Sequence, residues 1–97
     1  MNFNVAGVQF HKLKTVHTDI NEGMQLDLVP EPENEYDPNA VAIKFNDTML
    51  GYVPKKFSAE VAAILETTGA SCKVTKLDMA MKPWEQLEVE IVMEDSE

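Results

Sequence analysis

Apolar and polar residues alternate in six short stretches of the chain, as is typical of β-strands that bury one face. The clearest alternation runs from Leu87 to Met93, and the stretch from Val41 to Phe45 follows the same period of two. Inside the first stretch the apolar phase changes at Ala6-Gly7, which predicts a bulge or a close approach of two backbones. The six predicted strands cover residues 3–11, 24–28, 41–45, 49–53, 72–77 and 87–93.

The segments between the strands predict one clear helix and several loops. Residues 11–21 show little periodicity and are predicted to form a loop. Pro54 ends the fourth strand, Ser58 is placed to cap the start of a helix, and apolar residues recur on one helical face from Val61 to Leu65. Gly69 follows where a glycine commonly ends a helix, so we predict about three helical turns before it.

Five or six short strands with one or two helices predict a mainly β protein of the α+β class. The 97 residues suit one small domain, 1–97, whose residues 94–97 are predicted to be a frayed tail. Because a closed sheet protects its strand edges from pairing with other chains, we expect a small β-barrel of five to six strands.

The charge of the chain limits the partners it can attract. Eight lysines, no arginine and 17 acidic residues give a formal net charge of −9, and this averaged field repels both nucleic acids and membrane surfaces. A phosphate-bearing partner therefore requires a local basic patch. Acids concentrate at the C-terminus and in residues 31–40, which we call the acidic loop, whereas lysines occur in pairs at 12 and 14, 55 and 56, and 73 and 76.

Other features exclude several classes of protein. No apolar run approaches the roughly 20 residues that a membrane helix requires, and the N-terminus has no secretory signal pattern, so we expect a cytoplasmic protein. The single cysteine, Cys72, cannot form an internal disulfide and is predicted to be a small buried hydrophobe. His11 and His17 do not make a recognisable metal site with it.

No pattern of residues indicates a catalytic centre. Neither a Ser-His nor a Cys-His arrangement announces a nucleophile and its base, and the acidic loop lacks the spacing and central glycine of a calcium loop. We therefore predict no catalytic residue, metal or cofactor, and a protein that is not an enzyme.

The segment Tyr36-Asp37-Pro38-Asn39 is a good turn sequence, since the aspartate can bond its own backbone and the proline presets φ. On the residues alone, Tyr36 would cover one end of the barrel and Asp37 would cap the turn. By the same reasoning Phe10, which shares the phase of Val8, belongs to the core, and Trp84 is a hydrophobic lid.

Three blocks of the sequence, taken together, carry a further signal. They are "VAGVQFH", "LDLVPEPENEYDPNAVAI" and "LGYVPKKFSAEVAAIL". Their order and spacing resemble the HIRAN domain family from about Val5 to about Leu65, and the C-terminal third is similar only in its expected strands. The resemblance implies a modified OB-like barrel, which occurs alone in bacterial and phage proteins or fused to DNA-repair helicases of the SWI/SNF type.

The same resemblance implies a site. A helicase-linked member of the family holds the 3′-hydroxyl end of single-stranded DNA, and by likeness Tyr36 stacks on the terminal base while Asp37 bonds the terminal hydroxyl. Phe10 would be a second aromatic contact, His11 beside it is polar enough to be exposed, and the lysines after Gly-Tyr-Val-Pro would contact phosphates. The predicted nucleic-acid groove therefore comprises Phe10, His11, Tyr36, Asp37, Lys55 and Lys56.

Two departures from the family pattern leave alternatives open. Gln9 stands where the DNA-binding form has a basic residue, and no arginine is present to clamp a phosphate with two hydrogen bonds. The first hypothesis is a non-enzymatic module for single-stranded DNA ends. The alternatives are a module of the same fold that binds a basic protein through its acidic surface and, third, a small metal-dependent nuclease.

Overall fold

Six antiparallel β-strands and two α-helices build the protein, for which a computed structural model describes residues 1–94. The strands are β1 Asn2–Asn4, β2 Gln25–Pro30, β3 Val41–Phe45, β4 Thr48–Tyr52, β5 Ala70–Leu77 and β6 Leu87–Met93. The helices are α1 Leu13–Val16 and α2 Lys55–Thr67, and 3₁₀ turns lie at Val8–Phe10, His17–Asp19 and Pro83–Glu85. The predicted α+β class is confirmed.

The strands form one sheet in the order β1-β6-β5-β2-β3-β4, and it curls strongly into a half-barrel. Its two edges meet where Ala6, just after β1, pairs with Tyr52 at the end of β4. The two residues exchange backbone hydrogen bonds of 2.8 and 2.9 Å. We call this pair the seam. It gives the small, nearly closed barrel that the sequence predicts, since an otherwise free edge of β4 is paired there.

The seam depends on a glycine in the facing strand. A Cβ atom at Gly51 would run into the carbonyl oxygen of Ala6 and would lie 2.6 Å from Cγ1 of Val5. Only a residue without a side chain allows the two backbones to approach so closely. The close approach predicted at Ala6-Gly7 is therefore confirmed, although its partner in β4 carries the glycine that makes it possible.

The first predicted strand is wrong beyond Asn4. The backbone N–H of Val5 still donates to the carbonyl of Leu87, but Ala6 then crosses to β4 and closes the barrel. The chain next forms the 3₁₀ turn Val8–Phe10 instead of extending the sheet. Because closure of the barrel, not local propensity, turns the chain here, the alternation of apolar residues could not reveal where the strand ends.

Side chains from every strand and from α2 fill the interior of the half-barrel. Ile43, Leu50 and Leu87 are among the largest that are fully buried, and Val61 of α2 is buried in the same core. Cys72 is also buried, and this burial raises the pKa of its thiol to about 12. The prediction that Cys72 is a buried hydrophobe is confirmed.

Two details of the helical segments differ from the prediction. Residues 11–21, expected as a loop, contain α1 and the 3₁₀ turn His17–Asp19. Helix α2 begins at Lys55 directly after Pro54, so Ser58 is not an N-cap but lies buried in the first turn. The predicted end is confirmed, since Gly69 has a φ of 81° and its N–H donates to the carbonyl of Ile64 at 2.9 Å.

The C-terminal end of the described chain remains attached to the sheet. The backbone N–H of Glu94 donates to the carbonyl of Gly69 at 3.1 Å, so this first residue of the predicted frayed tail is held. The rest of that tail, residues 95–97, lies outside the described residues. None of the helices in residues 1–94 has the length and apolar character that crossing a bilayer requires.

Replacing Gly51 with alanine tests the seam. The added methyl group collides with backbone, which cannot rotate away, so Gly51→Ala should lower the free energy of unfolding by roughly 3 kcal/mol, the upper end for overpacking. Urea denaturation followed by circular dichroism measures the change.

The matched control is Gly23→Ala. Among residues 1–94, no atom lies within 4 Å of a Cβ placed at Gly23. The backbone φ of 93° opposes the substitution, which should cost about 1 kcal/mol. Equal losses in the two variants would contradict the role given to the seam.

Candidate nucleic-acid interface

An open cavity of about 470 Å³ lies beside the seam, where the acidic loop meets the end of β4 and the start of α2. Its wall is mostly apolar, with one carboxylate and one ammonium among its charged groups. The lining residues are Ala6, Asn34, Tyr36, Asp37, Ala40, Tyr52, Val53 and Lys55. The cavity thus combines Tyr36, Asp37 and Lys55, three of the six residues predicted for the nucleic-acid groove.

Tyr36 projects from a turn that Asn34 holds in place. The side-chain oxygen of Asn34 accepts hydrogen bonds from the backbone N–H groups of Tyr36 at 2.8 Å and of Asp37 at 3.0 Å. The Tyr36 side chain is 83% exposed, so the interpretation in which it covers the barrel end is wrong. Because local hydrogen bonds fix the backbone while the side chain stays exposed, the ring is available to a ligand.

The Asp37 carboxylate is hydrogen-bonded at both oxygens. Oδ1 accepts the backbone N–H of Asn39 at 2.9 Å, and Oδ2 accepts the hydroxyl of Ser58 at 2.8 Å. The Asn39 bond, the Ser58 bond and the nearby Lys55 charge, in that order, hold the pKa of Asp37 below its usual value. The group is therefore ionised at neutral pH, and of its roughly four acceptor positions about two are used by these bonds.

The two neighbouring lysines lie differently. Lys55 lines the cavity with Tyr36 and Asp37. Lys56, one residue and about 100° further round the helix, is outside the lining and holds its Nζ 5.2 Å from the centre of the Phe57 ring. Lys55 therefore gives the cavity a positively charged wall, whereas Lys56 lies outside the lining.

Phe10 and His11 are not among the residues that line the cavity. The 3₁₀ turn after the seam directs Phe10 outward, where it is 79% exposed, so its assignment to the core is wrong. The His11 ring contacts the Tyr52 ring in a T-shaped arrangement, with 5.9 Å between the ring centres. Trp84, predicted to be a lid, is 55% exposed, with Lys82 Nζ 5.5 Å from its ring.

Sequence reasoning missed the polar residues that build the site around Asp37. Tyr52 donates its hydroxyl to Oε1 of Glu31 at 2.9 Å, and the Asn34 amide donates to the same oxygen at 3.0 Å. Burial first, and then Glu31, raises the pKa of Tyr52. The spacing of three residues between Glu31 and Asn34 is a local signal that could have predicted their hydrogen bond. The bonds of Glu31 with Tyr52 and of Asp37 with Ser58 each span 21 residues, so no local signal predicts them.

The described residues offer no cluster of metal ligands. Within residues 1–94, no three or more histidine, cysteine, aspartate or glutamate side chains are grouped so that they could hold a metal ion.

Comparison with known families decides the identity of the fold. The sequence profile of the HIRAN domain matches residues 1–94. This chain belongs to the HIRAN domain family. The match extends the predicted resemblance, which covered about Val5 to Leu65, through β5 and β6.

Known proteins similar to this HIRAN domain include one long protein and two solved structures. It is 26% identical over 73 residues to the Fanconi-associated nuclease 1 homolog of Oryza sativa subsp. japonica, a match that spans 71% of this chain but only 7% of that protein. A crystal structure of a Lactobacillus plantarum protein has a TM-score of 0.80 and 24% identity, covering 93% of this chain and 87% of the other.

The second structure is the HIRAN domain of human HLTF. It has a TM-score of 0.67 and 17% identity, and the superposition covers 98% of this chain and 76% of that chain. At such identities the two structures establish the fold of this HIRAN domain and nothing about its residues.

The contact between Tyr52 and Glu31 can be tested by titration. In a Tyr36→Phe background Tyr52 is the only tyrosine, so absorbance at 295 nm follows its ionisation alone. Glu31→Gln should move the titration to lower pH, because it removes the negative charge that disfavours the phenolate.

Glu35→Gln is the control, because it removes the same charge from an exposed residue of the same loop. If both substitutions move the titration equally, the general charge of the loop acts on Tyr52 and the hydrogen bond to Glu31 does not.

Proposed function

We propose that this HIRAN domain is a non-enzymatic module that binds single-stranded DNA by its 3′-hydroxyl end. One observation carries the proposal: the exposed Tyr36 ring and the ionised Asp37 carboxylate line a single open cavity together with Lys55. The three side chains supply a platform, an acceptor and a cation within one concave surface.

The platform gives affinity without reading sequence. A base stacked on an exposed aromatic ring contributes about 1–3 kcal/mol, and every base offers a π-face. Tyr36 can make this contact at little entropic cost, since the bonds from its own N–H and that of Asp37 to Asn34 already fix its backbone.

The carboxylate gives selectivity for an unblocked end. An ionised carboxylate only accepts hydrogen bonds, so Asp37 would accept the O–H of a terminal sugar through a free acceptor position. A 3′-phosphate, or a phosphodiester that continues the chain, brings negative charge to the same point and is repelled. Together with stacking this recognises an end and a polarity, but no base.

Because the site has few cations, we expect its interaction with DNA to be weak and dependent on salt. Lys55 lines the cavity together with the carboxylate, and the proposal makes Phe10, His11 and Lys56, which lie outside the lining, further contacts for the preceding nucleotides. Against them stand the net charge of −9 and the absence of arginine. We therefore expect detectable binding at low ionic strength and little at high salt.

A protein partner is the second candidate. Glu33 and Glu35 are exposed on the acidic loop, and such a surface suits a basic protein. The rice relative is named as a nuclease homolog, which fits a binding module that serves a DNA-processing enzyme. Since the matched part is 7% of that protein, its nuclease activity is not part of the proposal.

Fluorescence anisotropy with short strands that end in a 3′-hydroxyl or a 3′-phosphate tests the function. The wild-type protein should prefer the hydroxyl by about 10–100-fold, the range for one hydrogen bond to a charged group. Asp37→Asn should abolish the preference, because the amide no longer repels a phosphate.

Asp78→Asn is the matched control. Asp78 also accepts the N–H two residues later, at 2.9 Å, but lies outside the cavity lining, so the preference should persist. A wild-type protein that binds neither strand at low ionic strength contradicts end capture and favours the protein partner.

The neighbouring lysines provide a test of the cationic wall. Lys55→Gln should weaken binding and reduce the slope of log K against log salt by about 0.7, the value for one phosphate contact on a single strand. Lys56→Gln, which removes the same charge outside the cavity lining, should change the slope less. Identical slopes in the two variants would mean that only overall charge matters.

A further inference from the structure

Ser58 has an unusual position among the polar residues. It is 3% exposed and is the one polar residue in the buried set of residues 1–94. A buried hydroxyl without a hydrogen-bond partner destabilises the folded state, so the partners of Ser58 explain why the core can contain it. The partner in another element is Oδ2 of Asp37, at 2.8 Å.

The hydroxyl of Ser58 has two acceptors within reach but only one proton to donate. The carbonyl of Lys55, one turn earlier in α2, lies 3.0 Å from the Ser58 oxygen. A hydrogen bond to an ionised carboxylate is roughly twice as strong as one to a neutral acceptor, so the proton is directed to Asp37. The loop carboxylate therefore holds the hydroxyl away from its local alternative.

This bond ties the segment that carries Asp37 to the helical turn that carries Lys55. It joins the acidic loop to the first turn of α2, and Lys55 stands three residues before Ser58 on that turn. The N–H of Asn39 holds the other carboxylate oxygen at 2.9 Å. With one bond on each oxygen, the plane of the carboxylate and the direction of its free acceptor positions are set.

We infer that Ser58 is a positioning residue that orients the Asp37 carboxylate toward a terminal hydroxyl and thereby determines selectivity for a free 3′ end. The inference rests on the proposed function. Ser58 does not touch the ligand in this arrangement, since it is absent from the cavity lining, and it acts only through Asp37.

The titration of Asp37 gives a readout that a role in packing alone does not affect. The titratable groups that share the cavity with Asp37 are Lys55, Tyr36 and Tyr52, and the neutral donors on its oxygens are Asn39 and Ser58. Loss of the Ser58 hydroxyl removes one of the causes that lower the pKa of Asp37, while the others remain. The pKa should then rise toward its usual value.

The experiment compares wild type with Ser58→Ala and Ser58→Thr. The control is Ser71→Ala, which replaces a half-buried serine in β5. Anisotropy gives the ratio of the Kd values for strands ending in 3′-phosphate and 3′-hydroxyl, and carbon-13 NMR of the Asp37 carboxyl gives its titration. In Ser58→Ala the ratio should fall by about 10-fold and the carboxyl should titrate at higher pH. Ser58→Thr, which keeps the hydroxyl, and Ser71→Ala should retain the wild-type ratio and titration.

The outcomes separate this inference from the proposed function. A wild-type protein without preference for the hydroxyl overturns both. A wild-type preference that persists in Ser58→Ala, with an unchanged Asp37 titration, overturns the inference alone. Should Ser58→Ala not fold, Ser58→Cys provides the same comparison, because a thiol fills the site but donates only weakly.

Discussion

The site exists because two backbone segments come together at the seam. Ala6 and Tyr52 exchange hydrogen bonds of 2.8 and 2.9 Å, and the bare backbone of Gly51 lets them do so. Tyr52 also donates its hydroxyl to Glu31 of the acidic loop, and its ring contacts the His11 ring. The barrel closure and the cavity wall are therefore the same piece of structure.

From the seam, polar contacts continue through the acidic loop to α2. Glu31 receives hydrogen bonds from Tyr52 and Asn34, and the other end of Asn34 holds the backbone of the Tyr36-Asp37 turn. Asp37 then bonds Ser58 on the helix. A loop rich in like charges and proline is thus tied at both ends, which leaves the aromatic ring exposed without leaving its backbone free. Such preorganisation reduces the ordering cost of binding.

The sequence predicted what periodicity and local chemistry determine. The bounds of β3 and β6 agree with prediction residue for residue, and the turn around Asp37 forms the bond to Asn39 that its composition suggests. The errors lie where distant segments meet, as at Phe10, which barrel closure turns outward, and at Ser58, whose partner is 21 residues away. A pattern in one segment carries no information about a partner that folding brings from elsewhere. The sequence therefore named Tyr36, Asp37 and Lys55, which line one cavity, but not the contacts that orient them.

Closure by a single residue pair also affects how the barrel moves. Neighbouring strands β5 and β6 are paired along their whole length, whereas Ala6 and Tyr52 form an isolated bridge, so the seam is the line along which the sheet can separate with the fewest broken contacts. The amide protons of these two residues then exchange with solvent through local opening, ahead of global unfolding. A ligand bound in the adjoining cavity would contact both Ala6 and Tyr52 and slow that exchange. The exchange rates of these two amides would then show whether the cavity is occupied.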